Sequence, residues 1–124
     1  MISIVIKERN NNITGFKIQG HAVSKEDINS VIGEAYDMIC NSISVLSQSI
    51  VIGLEEVLGF KTNYSLNDGF LSIDLNKFSE EEIEKTQVLM KTFDLSLKSI
   101  IRGLDQNFGR NKRGQYIKVF KEEV

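Results

Sequence analysis

"FKTNYSLNDGFLSIDLNKFSEEE" occupies Phe60–Glu82. Its first residues, Phe60 to Leu66, alternate in the manner of a strand. Asn67-Asp68-Gly69 follows, and an Asn/Asp-Gly turn between alternating runs signals a two-residue hairpin. Leu71, Ile73 and Leu75 then predict a return strand. Ser79 and Glu82 stand three apart before an apolar run, the spacing of a capping box, and the acidic turn suits the positive end of a helix. A hairpin that passes directly into a helix argues an α+β chain.

The same reading extends outward. Residues 2–7 alternate, with Ile2, Ile4 and Ile6 on one face. "RNNN" at 9–12 turns the chain, because asparagine tolerates left-handed backbone. Residues 13–19 read as a second strand with Phe16 and Ile18 inward, ended by Gly20. From Ala22 to Tyr36 polar residues and Gly33 blur the pattern, which predicts a loop. Asp37 is read as the N-cap of a helix whose buried stripe is Ile39, Ile43, Leu46, Ile50, Leu54 and Leu58, closed by Gly59 in a left-handed cap. The second helix carries Ile83, Met90, Phe93, Leu97, Ile101 and Leu104 inward and ends at Gly109. "GRNKRG" is read as a basic connection, Gln115–Lys121 as a last strand and "KEEV" as a fraying tail. The expected order is strand-strand-helix-strand-strand-helix-strand. This makes one α+β domain over 1–124, with two helices on one face of a mixed or antiparallel sheet.

Composition narrows the class. The chain has 124 residues, 41% hydrophobic and 26% charged, with a formal charge of −2. That size supports one core without disulfides or metal, and the overall charge carries no nucleic-acid signature. One cysteine excludes an internal disulfide, and one cysteine with one histidine is too few for a zinc site in a monomer, so no metal is expected. Glu55 and Glu56 interrupt the longest apolar run, which excludes a spanning segment. With no apolar leader before the first strand, a reducing cytoplasm is the expected compartment.

The single histidine, His21, and the single cysteine, Cys40, fall close together. A cysteine titrates near ~8.5 when unperturbed, so activation needs a neighbouring cation or a helix start. With Asp37 as N-cap, Cys40 falls in the first helical turn, where free amides favour the thiolate and can hold an oxyanion. His21, just past a strand end, is placed to act as base and then acid toward an acyl carbon. Asp37 and Ser44, at i−3 and i+4 from Cys40, share its helix face and are read as supporting residues. The competing reading makes Cys40 a small core hydrophobe and His21 a turn residue.

The pattern resembles the ribosomal-processing cysteine protease family, Prp. The resemblance rests on "GHA" at Gly20–Ala22, "DMIC" at Asp37–Cys40 and "SISVLSQS" at Ser42–Ser49, together with element order and chain length. It implies Cys40 as nucleophile and His21 as its general base and acid, with Asp37 and Ser44 nearby. The implied reaction removes the N-terminal extension of a large-subunit ribosomal protein, the twenty-seventh in the bacterial scheme, after an aromatic-containing motif during ribosome assembly. The resemblance also implies a cytoplasmic homodimer without cofactor. Asn41 and Ser42 stand where the family has small alanines. An extended peptide is expected along the 22–36 loop and the helix start, with Gly20, Val31, Tyr36 and Asn41 at the substrate.

Two other readings compete. "GRNKRGQYIK" at 109–118, with Arg110, Lys112, Arg113 and Lys118 beside Tyr116, offers a ribosome- or RNA-binding module. The simpler account is solvated cations favoured beside a helix C-terminus. Val88, Leu89, Leu95 and Ile100 lie off the main stripe of the second helix and point to a homodimer, which is compatible with either function.

Overall fold

The structure, a computed structural model, describes residues 1–20, 31–67 and 69–124, with backbone alone over 31–38. His21, the 22–30 part of the predicted loop and Asp68 lie outside the described residues. So do the side chains of Val31, Tyr36 and Asp37.

Strands β1 (Ile2–Arg9) and β2 (Asn12–Gln19) form an antiparallel hairpin in which Arg9 pairs with Asn12. The two linking residues, Asn10 (φ 52°) and Asn11 (φ 65°), are both left-handed, the requirement of a two-residue turn that matches strand twist. Helix α1 (Val31–Ile52) follows and runs into a π-helical turn, Gly53–Val57. Strands β3 (Asn63–Asn67) and β4 (Phe70–Asp74) make the second hairpin, with Asn67 opposite Phe70 and Gly69 at φ 68°. Helix α2 (Glu80–Phe108) begins at the predicted capping box: the Ser79 N–H donates to Glu82 Oε1 (3.0 Å) and the Glu82 N–H to Ser79 Oγ (3.2 Å). It ends at Gly109, φ 86°. A short helix α3 (Arg110–Tyr116) leads into β5 (Ile117–Glu123).

The sheet order is β3-β4-β2-β1-β5, with β5 parallel to β1 and the other pairs antiparallel. This makes β2 parallel to β3, and β4 parallel to β5, so α1 and the α2–α3 segment are both crossovers. They run in opposite directions along the sheet from strands of opposite sense. Two crossovers of the usual right hand therefore lie on the same face. The burial pattern agrees. Ile2, Ile4, Ile6, Phe16, Ile18, Leu71, Ile73 and Ile117 are buried, and against them pack Ile43, Ile50, Leu54, Met90, Phe93, Leu97 and Leu104. Phe16 stacks on Phe93 at 4.3 Å between ring centroids. Each such aliphatic or aromatic side chain contributes about 1.5–3 kcal/mol relative to exposure.

An extra residue bulges β2 between the Lys7–Gly15 and Glu8–Ile13 pairs, and this turns Ile13 into the core beside Phe16. Gln87 of α2 compensates the opened ladder. The Ile13 N–H donates to Gln87 Oε1 (2.8 Å), and Gln87 Nε2 donates to the Ile13 carbonyl (2.9 Å), all buried.

Four expectations need correction. Residues 31–36 already belong to helix α1, so they are helical rather than loop and Asp37 is not its N-cap. One glycine, Gly33, is a tolerable cost of about 1 kcal/mol in a helix this long. Strand β3 starts at Asn63 because the Phe60 N–H is taken by the Leu54 carbonyl (2.9 Å) and its ring packs edge-on to Phe78. "RNKRGQY" is a helix, held by the Arg113–Asp105 ion pair (2.8 Å) and the burial of Tyr116. The acidic tail is not frayed: β5 pairs with β1 as far as Glu123, and the Val124 N–H reaches the Glu8 carbonyl (2.9 Å).

Candidate active site

Cys40 is the tenth residue of α1 and half-buried at the rim of the core. A residue this deep in a helix has its amide satisfied by the carbonyl four residues back. The helix-start account of thiolate and oxyanion stabilisation therefore fails for Cys40.

The sulfur side of α1 faces a cavity of about 160 Å³. Helical spacing explains which residues of α1 line it. Ile43, Ser44 and Ser47 stand three, four and seven positions from Cys40, on one face, and Asn41 joins them at the edge. Gln48 Nε2 donates to Ser44 Oγ (3.0 Å), which leaves the Ser44 hydroxyl hydrogen available to an acceptor in the cavity. Ser47 Oγ donates to the Ser44 carbonyl (2.9 Å).

The opposite wall comes from the sheet: Ile2 and Ile18, and the β3–β4 hairpin with Leu66, Asn67, Gly69, Phe70 and Leu71. Gly20 closes one end. Its φ is +96°, and a Cβ there would sit 2.3 Å from the Met1 carbonyl oxygen, so only glycine fits. The Gly20 N–H donates to the Gly69 carbonyl (2.8 Å) and ties the end of β2 to the hairpin. The residue after it in sequence is His21.

Of the residues singled out from sequence, Gly20, Cys40, Asn41 and Ser44 meet at this one cavity. His21 lies outside the described residues, as do the side chains of Asp37, Val31 and Tyr36. Sequence reasoning misses the hairpin wall and Ser47. The hairpin reaches the site only because β4 sits beside β2, a strand order that no local pattern encodes.

Comparison with known proteins decides between protease and packing domain. Residues 1–108 match the family described as cysteine protease Prp. The chain belongs to that family. Prp-family membership makes it a cysteine protease and sets aside the non-catalytic module. None of the curated proteins matches the chain. Among solved structures, SMU.848 from Streptococcus mutans is 24% identical, with a TM-score of 0.72 over 100% of this chain and 96% of that one. Two structures of an essential ribosomal processing protease Prp from S. aureus are 16% identical, each covering 98% of this chain and 100% of theirs. The complex with a substrate peptide has a TM-score of 0.70, and that with a covalently linked product peptide 0.67. These likenesses show that the Prp fold is shared. Among the described residues no helix is long and apolar enough to cross a membrane.

Proposed function

We propose that this Prp-family protease removes the N-terminal extension of the twenty-seventh large-subunit ribosomal protein during ribosome assembly, in the cytoplasm and without a cofactor. The observation that carries the reading is the cavity onto which both Cys40 and Gly20 open. A peptide entering it meets apolar surface from Ile18, Leu66, Phe70 and Leu71, which suits an aromatic side chain beside the cut. The S. aureus relatives, described as ribosomal processing proteases with bound peptides, support the substrate class.

In the proposed mechanism the Cys40 thiol gives its proton to His21 and the sulfur adds to the scissile carbonyl carbon. His21 returns the proton to the departing amine as the C–N bond breaks, leaving a thioester. Water, deprotonated by His21, then cleaves the thioester and restores the thiol. Ser44 donates to the substrate carbonyl, and Asn41 holds a peptide amide at the rim. Asp37, three residues before Cys40, orients His21. The activation that the helix start does not supply comes from the imidazole in this account. In this reading the protein acts as a homodimer, to which the exposed Val88 and Leu95 of α2, seven residues apart on one helix face, offer apolar surface, while Leu89 and Ile100 pack against the core.

The test is cleavage of a peptide spanning the extension and the mature start, read by mass spectrometry, with sedimentation for the dimer. Cys40→Ala and His21→Ala each lose on the order of a thousandfold or more in rate. Undiminished cleavage by Cys40→Ala would refute the mechanism. An intact protein that cuts other peptides but not this one would refute the substrate.

A further inference from the structure

Charge is distributed unevenly along the chain. Residues 98–121 hold seven basic residues and one carboxylate, Asp105, while the rest of the chain holds eight basic residues and sixteen acidic ones. The fold collects that segment at one edge of the sheet, in the C-terminal half of α2, in α3 and in the edge strand β5.

Two hollows flank β5 and share Val119. The first, about 360 Å³, is lined by Lys98, Arg102 and Lys121, with Asp94 and Asp105. The second, about 470 Å³, is lined by Arg110, Arg113 and Lys118, with Phe120. Two carboxylates of this edge are engaged, Asp94 through Oδ2 alone and Asp105, while Glu122 and Glu123 at the end of β5 have no ion pair among the described residues. Asp94 accepts from Lys98 (3.2 Å) and Lys121 (3.3 Å), and Asp105 from Arg113 (2.8 Å). Arg102, Arg110 and Lys118 have no ion pair among the described residues. Phe120 is 50% exposed. It stands two residues from Lys118, on the same face of β5.

We propose that this edge binds the phosphodiester backbone of a single-stranded nucleic acid. Arg102, Arg110 and Lys118 take the phosphates and Phe120 provides a surface on which a base stacks. Cations around a sheet edge and an exposed ring are the two elements such binding uses. A bare run of carboxylates would satisfy the cations but brings no ring to Phe120, whereas every nucleotide carries one. The surface is lined by none of the residues around Cys40, so the proposal stands apart from the peptidase reading and its test needs no turnover.

The experiment is fluorescence anisotropy of labelled, unstructured RNA and DNA strands of one sequence, with the full chain, at 50 and 200 mM salt. Three phosphate contacts predict a log–log salt slope of about −2, roughly a 20-fold loss of affinity over that range. The triple variant R102Q/R110Q/K118Q is expected to lose tenfold or more with peptide cleavage unchanged, and F120A to weaken binding without changing the salt slope. Binding of either strand with this slope supports the proposal, and a preference for one identifies the source of the backbone. Lack of binding at 50 mM salt, equal binding by the triple variant, or stronger competition by polyglutamate than by either strand would overturn it. The wild-type salt slope remains decisive even where a variant fails to fold.

Discussion

Gly20→Ala tests how the end of β2 builds the site. At φ +96° an L side chain costs about 1–2 kcal/mol in backbone strain. The new Cβ would also stand 2.3 Å from the Met1 carbonyl oxygen, about an ångström too close. The oxygen cannot yield easily, because Ile2 and Ser3 are fixed by pairing to Ile117 and Gln19. Residue 20 must move instead, and its 2.8 Å hydrogen bond to the Gly69 carbonyl breaks, a further loss of about 0.5–1.5 kcal/mol. The expected destabilisation is about 2–3 kcal/mol. Gly59→Ala is the control, since Gly59 also has positive φ (+73°) but no atom within 4 Å of its would-be Cβ; it should lose only about 1 kcal/mol. The two variants separate further in function. Under the proposed mechanism His21, the next residue in sequence, is the base, and misplacing a catalytic group by about an ångström costs roughly a hundredfold in rate. Urea unfolding and peptide cleavage, at a temperature where both variants are folded, give the answer. A Gly20→Ala protein no less stable than Gly59→Ala, and cleaving at the wild-type rate, would show that residue 20 does not set the site.

Gln87→Leu keeps the side chain's volume but strips both partners from the Ile13 peptide groups, each buried. At about 1–3 kcal/mol per stranded group the loss is about 2–6 kcal/mol in urea unfolding, and a change below about 0.5 kcal/mol would contradict the clamp. The Arg113 guanidinium bonded to Asp105 holds that carboxyl below its usual range. Its folded pKa is lowered, so its stabilising effect is present above the unfolded value of about 3.9 and fades as pH falls through the folded one. The gap in urea midpoint between the wild type and Asp105→Asn should therefore narrow below about pH 4, and a constant gap would rule this out.

The legible parts of the fold are those set by short-range chemistry. Asn10-Asn11, Asn67-Gly69, the Ser79–Glu82 box and Gly109 each fix a turn or a helix end with a few adjacent residues, and each appears where the sequence places it. The apolar stripes of α1 and α2 are equally readable, since their period survives in the buried faces of both helices. Less legible is the start of α1. "VIGEAY" at 31–36 holds a glycine and a weak apolar period, yet belongs to α1, whose length and packing override local preference. Helix α3 shows no apolar period at all, and its ion pair to Asp105 joins residues eight apart. The last strand extends into Glu122 and Glu123 because pairing with β1 uses backbone, not side chains. In the site, Cys40, Ser44 and Gly20 are readable as residue types with a spacing, whereas Phe70 and Leu71 enter through sheet order alone.

Because Cys40 is the single cysteine of the chain, alkylation interrogates its role as nucleophile without any substitution. The protein is treated with iodoacetamide, the added mass is counted, and cleavage of the ribosomal-extension peptide is followed on the same samples. Activity should fall in proportion to the fraction carrying one added group, and substrate peptide should protect the thiol from the reagent. A fully alkylated protein that still cuts the peptide would contradict the assignment of Cys40 as the nucleophile.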